Sequence, residues 1–197
     1  MEPTPGQNEA QSQDELFDVV NEQDEVIGQL TRGEVHRQRL LHRAVHVFVF
    51  DAKGRVFLQK RSMAKDTNPG CWSPSASGHV DAGEGYDHAV VRELREEIGI
   101  EVEATPERWL RLNACRETGR EFVWIYRLEH EGPFTLNPAE IEKGAWFDPV
   151  ELTRDLITHP KRYTPALRFI WTRLPGFVVQ LPATTPPFKT PSSNAGA

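Results

Sequence analysis

The sequence predicts an α/β fold in which a mixed β-sheet is covered by helices on both faces. Segments rich in β-branched and aromatic residues alternate along the chain with segments that carry apolar residues at helical spacing. Two short apolar runs near the N-terminus flank a polar turn, a pattern typical of a β-hairpin. The 197 residues are enough for one domain with a single sizeable core.

The first third of the chain contains four predicted strands and one short helix. Thr31 and Glu34 have the spacing of a capping box, so a helix should begin there and end near Leu40. The segment 62–77 contains two prolines and a glycine and is expected to be irregular. Alternation of apolar residues places the four strands at Leu16–Val20, Val26–Leu30, Ala44–Phe50 and Arg55–Arg61.

A helix over Tyr86–Ile98 is the best-defined element of the second part. This segment lacks proline and glycine, and Gly99 follows as a helix stop. Two more helices are expected over Pro149–Ile157 and Thr164–Leu174, the latter with Pro165 in its first turn. The remaining strands are predicted at Glu101–Ala104, Trp109–Ala114, Phe122–Leu128 and Ala145–Phe147.

Composition divides the chain into one domain and two tails. Residues 1–13 are polar and show no periodicity, which predicts a disordered N-terminal tail. Residues 14–174 form the predicted domain. Residues 175–197 are rich in proline and small polar residues, so they should form an unstructured or surface-lying tail.

The most specific pattern begins at Gly78 and reads GHVDAGEGYDHAVVRELREEIGI. Five residues separate Gly78 from Glu84, and seven more separate Glu84 from the pair Arg92-Glu93. On the predicted helix, positions three and four apart are neighbours, so three glutamates share a face that differs from the apolar stripe. The acidic face consists of Glu93, Glu96 and Glu97, and the apolar stripe of Val91, Leu94 and Ile98.

Three carboxylates on one helix face repel one another unless a positive charge lies between them. Hard oxygen ligands without histidine or cysteine suit Mg²⁺, with Mn²⁺ as the other candidate. Arg92 lies four residues before Glu96 and can pair with it. A carboxylate cage of this kind serves metal-assisted attack of water on a diphosphate. If only an isolated pair of glutamates were present, a solvated acidic face would be a better interpretation than a metal site.

Charge and composition narrow the class of partner. The net charge of −6 argues against a nucleic-acid polymer or a membrane surface as partner. No run approaches a transmembrane span, and residues 1–13 lack the apolar region of a signal peptide. Cys71 and Cys115 are widely spaced, which is typical of free thiols in the reducing cytoplasm. We therefore expect a cytoplasmic protein that acts on a small molecule.

The spacing G-x5-E-x7-R-E-U-x-E-E-x-G-U, with U aliphatic, is the Nudix box, and this chain resembles the Nudix hydrolase superfamily. The resemblance extends over a catalytic core at about 43–160 and implies an α/β/α sandwich. It also implies that Glu93, Glu96 and Glu97 are metal ligands, assisted by the main-chain carbonyl of Gly78. Glu97 and Glu93 are then the central catalytic residues, with Arg92 pairing the carboxylates and Glu84 bracing the loop or an outer metal-bound water.

A wider pattern resembles the isopentenyl-diphosphate isomerase-like branch of this superfamily. The segments that carry it are DVVNEQDEVIG, RLLHRAVHVFVFDAKG, FLQKRSMAKDTNPGCW and SASGHVDAGE. The isomerases have a catalytic cysteine where this chain has Ser77, whose hydroxyl has a much higher pKa. Their metal-binding residues are matched in part: His42 and His79 fit, and His36 is one residue out of step. Glu121 could stand for one of two glutamates.

Several residues outside the box are candidates for contact with the substrate. Arg61 and Lys65 could bind phosphates, and His79 is a further candidate. Glu140, in the loop before the last strand, is a candidate general base or additional metal ligand, and Glu121 competes for that role. Trp72 and Trp146 could stack a base, but core packing is the better interpretation for both.

The sequence therefore predicts a Mg²⁺-dependent hydrolase that cleaves a pyrophosphate bond in a nucleoside diphosphate linked to another moiety, X, or in a related diphosphate. One alternative is an isomerase that acts on an isoprenoid diphosphate; the serine at position 77 and the complete box argue against it. A second alternative is a non-catalytic module that senses a nucleotide, although such modules commonly lose a box carboxylate. The protein is expected to be a monomer or a homodimer.

Overall fold

The computed structural model describes residues 12–176, and these residues contain nine strands, four α-helices and one 3-10 turn. The predicted tails lie almost entirely outside the described residues. The strands are β1 (Leu16–Val20), β2 (Val26–Thr31), β3 (His42–Phe50), β4 (Val56–Arg61), β5 (Trp72–Ser73), β6 (Ala76–His79), β7 (Glu107–Leu112), β8 (Glu121–Glu129) and β9 (Ile141–Phe147). The helices are α1 (Arg32–Gln38), α2 (Tyr86–Ile98), α3 (Pro149–Thr158) and α4 (Pro165–Trp171), with the 3-10 turn at Pro160–Arg162.

The main sheet of the described residues is mixed, as the sequence predicts. Its order is β5-β4-β3-β8-β7, with β6 paired to β3 and β9 paired to β4. The pair β3–β8 is parallel, and the pairs β3–β4, β3–β6, β4–β9 and β7–β8 are antiparallel. The hairpin β1–β2 forms a separate two-stranded sheet.

Strand β3 supplies both faces of the sheet with core residues because successive side chains of a strand point to opposite sides. Phe48 and Phe50 pack on the face that carries α3 and α4. Val45 and Val47 pack on the other face, against α2. Since β3 is covered on both sides, its sequence is almost continuously apolar.

Helices cover the two faces of the sheet in the α/β/α arrangement that the resemblance implies. Helix α2 packs Val90, Leu94 and Ile98 against one face. Helices α3 and α4 pack Leu152, Leu156, Leu167, Ile170 and Trp171 against the other. Val90 is more deeply buried than Val91, which the helical spacing had placed in the stripe; Val91 lies at its margin and is partly buried.

The N-terminal hairpin and α1 form a small third cluster around Phe17, Val19 and Val35. Helix α1 begins with the predicted capping box: the Thr31 hydroxyl accepts from the main-chain N–H of Glu34, and the Glu34 carboxylate accepts from the Thr31 N–H. This packing brings α1 close to the end of β3. Among the helices of residues 12–176, none has the length and apolar character that crossing a membrane requires.

Three expectations about individual elements are wrong. The segment 62–77 is not irregular throughout, because β5 and the start of β6 pair with β4 and β3. Glu101–Ala104 is not a strand, because no strand among residues 12–176 pairs with it. Ile100 and Val102 nevertheless pack against the core beneath α2. The last helix ends at Trp171 rather than Leu174, shortly before Pro175.

Candidate active site

Strand β6 and helix α2 meet at Gly78, and this contact defines the site. Gly78 pairs with Val45 of β3, so its backbone is fixed in the sheet. A Cβ atom built on Gly78 would lie 1.9 Å from Oε1 of Glu93, a separation that real Cβ atoms do not show. Only glycine therefore lets the Glu93 carboxylate approach the β6 backbone this closely.

Glu93 and Glu97 lie one helical turn apart on α2 and point toward the sheet, with relative exposures of 8% and 4%. Burial and the neighbouring charge of Glu97 raise the pKa of Glu93 to about 8. Burial also raises the pKa of Glu97, although the charge of Lys65 opposes that shift. Two buried carboxylates that are costly to ionise form a site suited to a cation.

Gln59 and Ser77 hold the Glu97 carboxylate in place, and neither residue was predicted to belong to the site. The Gln59 side-chain amide and the Ser77 main-chain N–H both donate to Oε2 of Glu97, each at 2.8 Å. Gln59 is 1% exposed on β4. The sequence signal that could have identified it is an amide directly after the apolar run Val56–Leu58 of β4.

Arg92 links the loop, the strand and the helix of the box. Its guanidinium donates to both carboxylate oxygens of Glu84, at 3.1 and 2.9 Å. It also donates to Oε1 of Glu93 at 2.7 Å and to the main-chain carbonyl of His79 at 2.9 Å. Glu84 in turn accepts from the Asp81 N–H. The geometry is that of a planar fork positioning two carboxylates.

The third box carboxylate, Glu96, is half-exposed and not buried with Glu93 and Glu97. It accepts from Arg92 at 3.3 Å, the pairing that the four-residue spacing predicts. Glu140 approaches the same cleft from the loop before β9, where its carboxylate is hydrogen-bonded to the ammonium group of Lys65. Lys65 is buried, and burial lowers its pKa to about 8.

These groups line what we call the carboxylate cleft, a cavity of about 470 Å³. The cleft brings together most of the residues that the sequence predicts for the site. Glu84 lies behind it, on the other side of Arg92. The lining residues that matter here are Gly78, Arg92, Glu93, Glu96, Glu97, Lys65 and Glu140.

Glu121 is not part of the carboxylate cleft but belongs to a group of histidines on the other side of β6. Nitrogen atoms of His36, His42 and His79 lie within 4.8 Å of one another. Glu121 Oε1 lies 3.5 Å from Nε2 of His42 and 3.3 Å from Nε2 of His79. Burial alone would raise the pKa of Glu121, but the adjacent imidazoles hold it well below its usual range.

The histidine group corrects one expectation, since His36 joins His42 and His79 although it is one residue out of step in the sequence. Helix α1 brings it there by packing Val35 beneath the hairpin. The ring of Phe17 stacks on His42, with centroids 5.9 Å apart. His42 donates from Nδ1 to the Leu40 carbonyl at 2.9 Å when that nitrogen is protonated, which leaves Nε2 facing the group.

The second cavity, which we call the histidine cleft, measures about 460 Å³ and adjoins the carboxylate cleft along Ser77, Gly78 and His79. Arg61 lines it and donates to the carbonyl of Thr67 at 3.0 Å. Of the three predicted substrate contacts, Arg61 therefore lies at the histidine cleft, Lys65 lies at the carboxylate cleft, and His79 lines both. Trp72 is buried in one core and Trp146 packs at the margin of the other, as expected.

The donor set of the carboxylate cleft fits a hard divalent cation. Its ligand candidates are the oxygens of Glu93, Glu96 and Glu97 and the main-chain carbonyl of Gly78, without histidine nitrogen other than His79 at its edge. The close approach of Glu93 to Gly78 forms a cradle that a larger residue would fill. The cleft thus gathers oxygen donors suited to such a cation, with the His79 imidazole at its edge.

A family model of the NUDIX domain matches residues 40–168. The chain belongs to the Nudix hydrolase family. It is therefore an enzyme of the class that hydrolyses pyrophosphate bonds in small-molecule diphosphates, a family that generally uses divalent metal ions. The helix α2, the box glutamates and the sheet described above all fall within the matched region.

Individual Nudix relatives resemble this chain over most of their length. An uncharacterized Nudix hydrolase of Yersinia pestis is 37% identical over 142 residues, which cover 71% of this chain and 76% of that protein. An isopentenyl-diphosphate Delta-isomerase of Serratia proteamaculans is 33% identical over 154 residues, 77% of this chain and 86% of the isomerase. The crystal structure of DR0079 from Deinococcus radiodurans superposes with a TM-score of 0.74 at 29% identity, covering 81% of this chain and 99% of DR0079.

Proposed function

We propose that this Nudix protein is a Mg²⁺-dependent hydrolase that cleaves the pyrophosphate bond of a nucleoside diphosphate linked to a moiety X, or of a related diphosphate. The observation that supports this most strongly is the approach of two buried carboxylates to strand β6: Glu93 lies against Gly78 and is bonded to Arg92, and Glu97 accepts from the Ser77 N–H. Burial makes both carboxylates costly to ionise, which favours a bound divalent cation, and diphosphates reach proteins with Mg²⁺ bound.

The box residues would hold the ion and fix its surroundings. Glu93, Glu96 and Glu97 would supply carboxylate oxygens, and Gly78 its carbonyl; Mn²⁺ could take the place of Mg²⁺. When bound, such an ion polarises a phosphoryl oxygen and neutralises charge on the leaving phosphate. Arg92 keeps Glu93 oriented through its bonds to Glu84 and the His79 carbonyl.

The proton of the attacking water needs an acceptor, and we assign that role to Glu140 rather than Glu121. Glu140 lines the carboxylate cleft, whereas Glu121 lies among the histidines beyond β6. As the water oxygen bonds to phosphorus and the P–O bond to the leaving phosphate breaks, the Glu140 carboxylate accepts the proton. Lys65 would move from Glu140 toward a phosphate oxygen.

A phosphate-release screen with Mg²⁺ tests the proposal. The panel should contain nucleoside triphosphates, nucleotide sugars, dinucleotides and isoprenoid diphosphates. Glu97→Gln should lower turnover about 100-fold or more. Substituting even a residue that only hydrogen-bonds to a metal ligand typically lowers metal affinity or activity by about 10–100-fold. Glu103→Gln is the matched control, because Glu103 is an exposed glutamate beyond the box helix and should leave turnover unchanged.

Thermal unfolding supplies a readout that does not depend on catalysis. Mg²⁺ should raise the melting temperature of the wild type and of Glu103→Gln, because a ligand that binds only the folded state stabilises it. The double variant Glu93→Gln, Glu97→Gln should show no such rise. An equal Mg²⁺ response in this variant and in the wild type would contradict the assignment of the metal site.

The isomerase alternative is supported by one observation, the convergence of His36, His42, His79 and Glu121 beside Ser77. This is the group that the isomerase resemblance implies. The serine and the complete glutamate set still favour hydrolysis. Incubation with isopentenyl diphosphate distinguishes the two activities: we expect released phosphate with the wild type and no migration of the double bond. Migration of the double bond without phosphate release would establish the isomerase instead.

The nucleotide-sensing alternative is less favoured because no box carboxylate has been lost. It would gain support if every diphosphate of the screen bound without turnover. The cytoplasmic location and the choice between monomer and homodimer stay predictions from the sequence.

A further inference from the structure

The carboxylate and histidine clefts continue into a third cavity at the far end of the sheet. This cavity, which we call the arginine cleft, measures about 770 Å³ and shares Arg39, Arg116 and Gly119 with the histidine cleft. The histidine cleft in turn shares Ser77, Gly78 and His79 with the carboxylate cleft. Three adjoining cavities thus form one path that begins at the box glutamates and ends at Arg120.

The two ends of this path carry opposite charge. Six carboxylates and two cations line the carboxylate cleft, whereas three arginines and one glutamate, Glu22, line the arginine cleft. The chain as a whole has a net charge of −6, so a basic cavity runs against its overall composition. A cavity with this charge attracts anions and not the cation that the box attracts.

The three arginines of the cavity have no partner inside the described part of the chain. The side chains of Arg39, Arg116 and Arg120 form no hydrogen bond, ion pair or ring contact with another residue of 12–176. Other arginines near the sheet are paired, for example Arg43 with Asp24 and Arg55 with Asp51. The arginine cleft therefore offers free guanidinium groups, which bind phosphate oxygens in a bidentate manner.

The loop that carries two of these arginines is held by internal bonds. The buried Thr118 hydroxyl accepts from the Cys115 N–H at 3.0 Å and contacts the Glu121 carbonyl at 2.9 Å. The Arg120 N–H donates to the Cys115 carbonyl at 2.7 Å. These bonds attach the loop to the start of β8, so Arg116 and Arg120 are presented from a fixed backbone.

We propose that the arginine cleft binds a second anionic group of the substrate, a phosphate monoester carried by the moiety X. This inference rests on the proposed function, because it places the scissile diphosphate at the carboxylate cleft and X along the path. The substrate is then a diphosphate whose X bears its own phosphate at the end remote from the cleaved bond. Arg39, Arg116 and Arg120 determine this specificity.

A binding experiment without metal tests the anion site separately from hydrolysis. Inorganic phosphate is titrated into the full chain in the presence of a chelator, and the Nε–H resonances of the arginines are followed by NMR. The double variant Arg116→Gln, Arg120→Asn should bind phosphate at least tenfold more weakly. Asparagine is chosen at position 120 because the φ angle of Arg120 is 70° and asparagine tolerates that conformation.

The matched control removes two exposed arginines elsewhere, in Arg37→Gln, Arg154→Gln, so that the loss of net charge is the same. This control should bind phosphate as the wild type does. Equal affinity of the cleft variant and the wild type would overturn the proposal. Equal weakening in the cleft variant and the control would overturn it too, because the effect would then be one of overall charge.

Hydrolysis of matched diphosphates tests the specificity. ADP-ribose and ADP-ribose 1″-phosphate differ by one phosphate monoester on the terminal ribose, which is the moiety X, at the end remote from the diphosphate. The kcat/KM should be at least tenfold higher for the phosphorylated member of this pair and nearly equal for the two members in the cleft variant. A wild type that prefers the unphosphorylated member would contradict the proposal. If the proposed hydrolase function is wrong, no diphosphate will be turned over, but the phosphate titration will give the same result.

Discussion

Gly78 lies where the backbone of β6 meets the carboxylate of Glu93, and its lack of a side chain leaves room for that contact. Glu93 depends on Arg92, and Arg92 depends on Glu84 and on the His79 carbonyl. At the scale of single residues, the site is therefore a chain of contacts that begins at one glycine.

Gly78→Ala should disrupt the site while the fold persists. The new Cβ would displace the Glu93 carboxylate, so Mg²⁺-dependent stabilisation should disappear and turnover should fall at least about tenfold. Because the clash is with the end of a flexible side chain and not with backbone, the substitution should leave the fold intact. Gly28→Ala is the control, since a Cβ there meets nothing within 4 Å. Retention of the Mg²⁺ response in Gly78→Ala would argue against the proposed cradle.

The two candidate bases can be compared directly. Glu140→Gln should lower kcat roughly 10²-fold or more and preserve the Mg²⁺ response, because proton transfer and not metal binding is lost. Glu121→Gln should have a smaller effect on hydrolysis, since Glu121 lies outside the carboxylate cleft. Circular dichroism should accompany both assays, because Glu140→Gln leaves buried Lys65 without its partner. The reverse order of effects would assign the base to Glu121.

Individual elements are stabilised by polar contacts at their ends. Asp155 of α3 accepts from the Tyr163 hydroxyl and pairs with Arg162 at 2.7 Å and with His159 at 2.6 Å. The hydrogen bond from Tyr163, followed by that from His159, lowers the pKa of Asp155 below its ordinary value. This cluster ties α3 to the 3-10 turn that leads into α4.

The contribution of Asp155 should depend on pH. Because the pKa of this carboxyl is lower in the folded than in the unfolded state, its stabilisation is complete above the unfolded value near 4 and is lost as the pH falls through the folded value. At pH 7, Asp155→Asn should lower the free energy of unfolding by roughly 0.5–1 kcal/mol. The difference from the wild type should shrink progressively below pH 4 in urea titrations.

Glu103→Gln provides the control for that series. Glu103 is exposed outside the helices, and its side chain has no partner among residues 12–176. Its substitution should leave the urea midpoint unchanged across the same pH range. A cost of Asp155→Asn that is independent of pH would show that packing, and not charge, explains the effect.

At the scale of the whole molecule, two cores lie on opposite faces of one sheet, and the site lies at the edge of the core beneath α2. The other core depends on α3 and α4, which come from the end of the described chain. Helix α4 has only seven residues, too few to be stable in isolation. Its burial against the sheet must therefore supply its stability.

Ile170→Ala tests that dependence. Ile170 is fully buried, and removing its side chain should cost about 2–5 kcal/mol of unfolding free energy. Ile157→Ala, at a residue that is 59% exposed on α3, should change stability by less than about 0.5 kcal/mol. Equal, small effects of the two substitutions would show that α4 contributes little to the domain.

Local patterns anticipated much of this molecule because some spacings have one physical interpretation. The capping box at Thr31, the stop at Gly99 and the alternation in β3 depend only on neighbouring residues. The short strands β5 and β6 could not be predicted, because Trp72–Ser73 and Ala76–His79 are strands only by virtue of pairing with β4 and β3. Glu101–Ala104 shows the converse: alternation without a neighbour does not make a strand.

The sequence by itself determined the family and the acidic face of α2, because box spacing and helical periodicity are local properties. Tertiary structure decided which glutamates are buried, which base candidate lies near them and which residues hold Glu97. It also brought His36 to His79, and Arg39 to the same cavity as Arg116. These residues are far apart in the chain and come together because β3 pairs with β6 and with β8. Such long-range contacts depend on how strands and loops pack against one another, and no local sequence pattern predicts that packing.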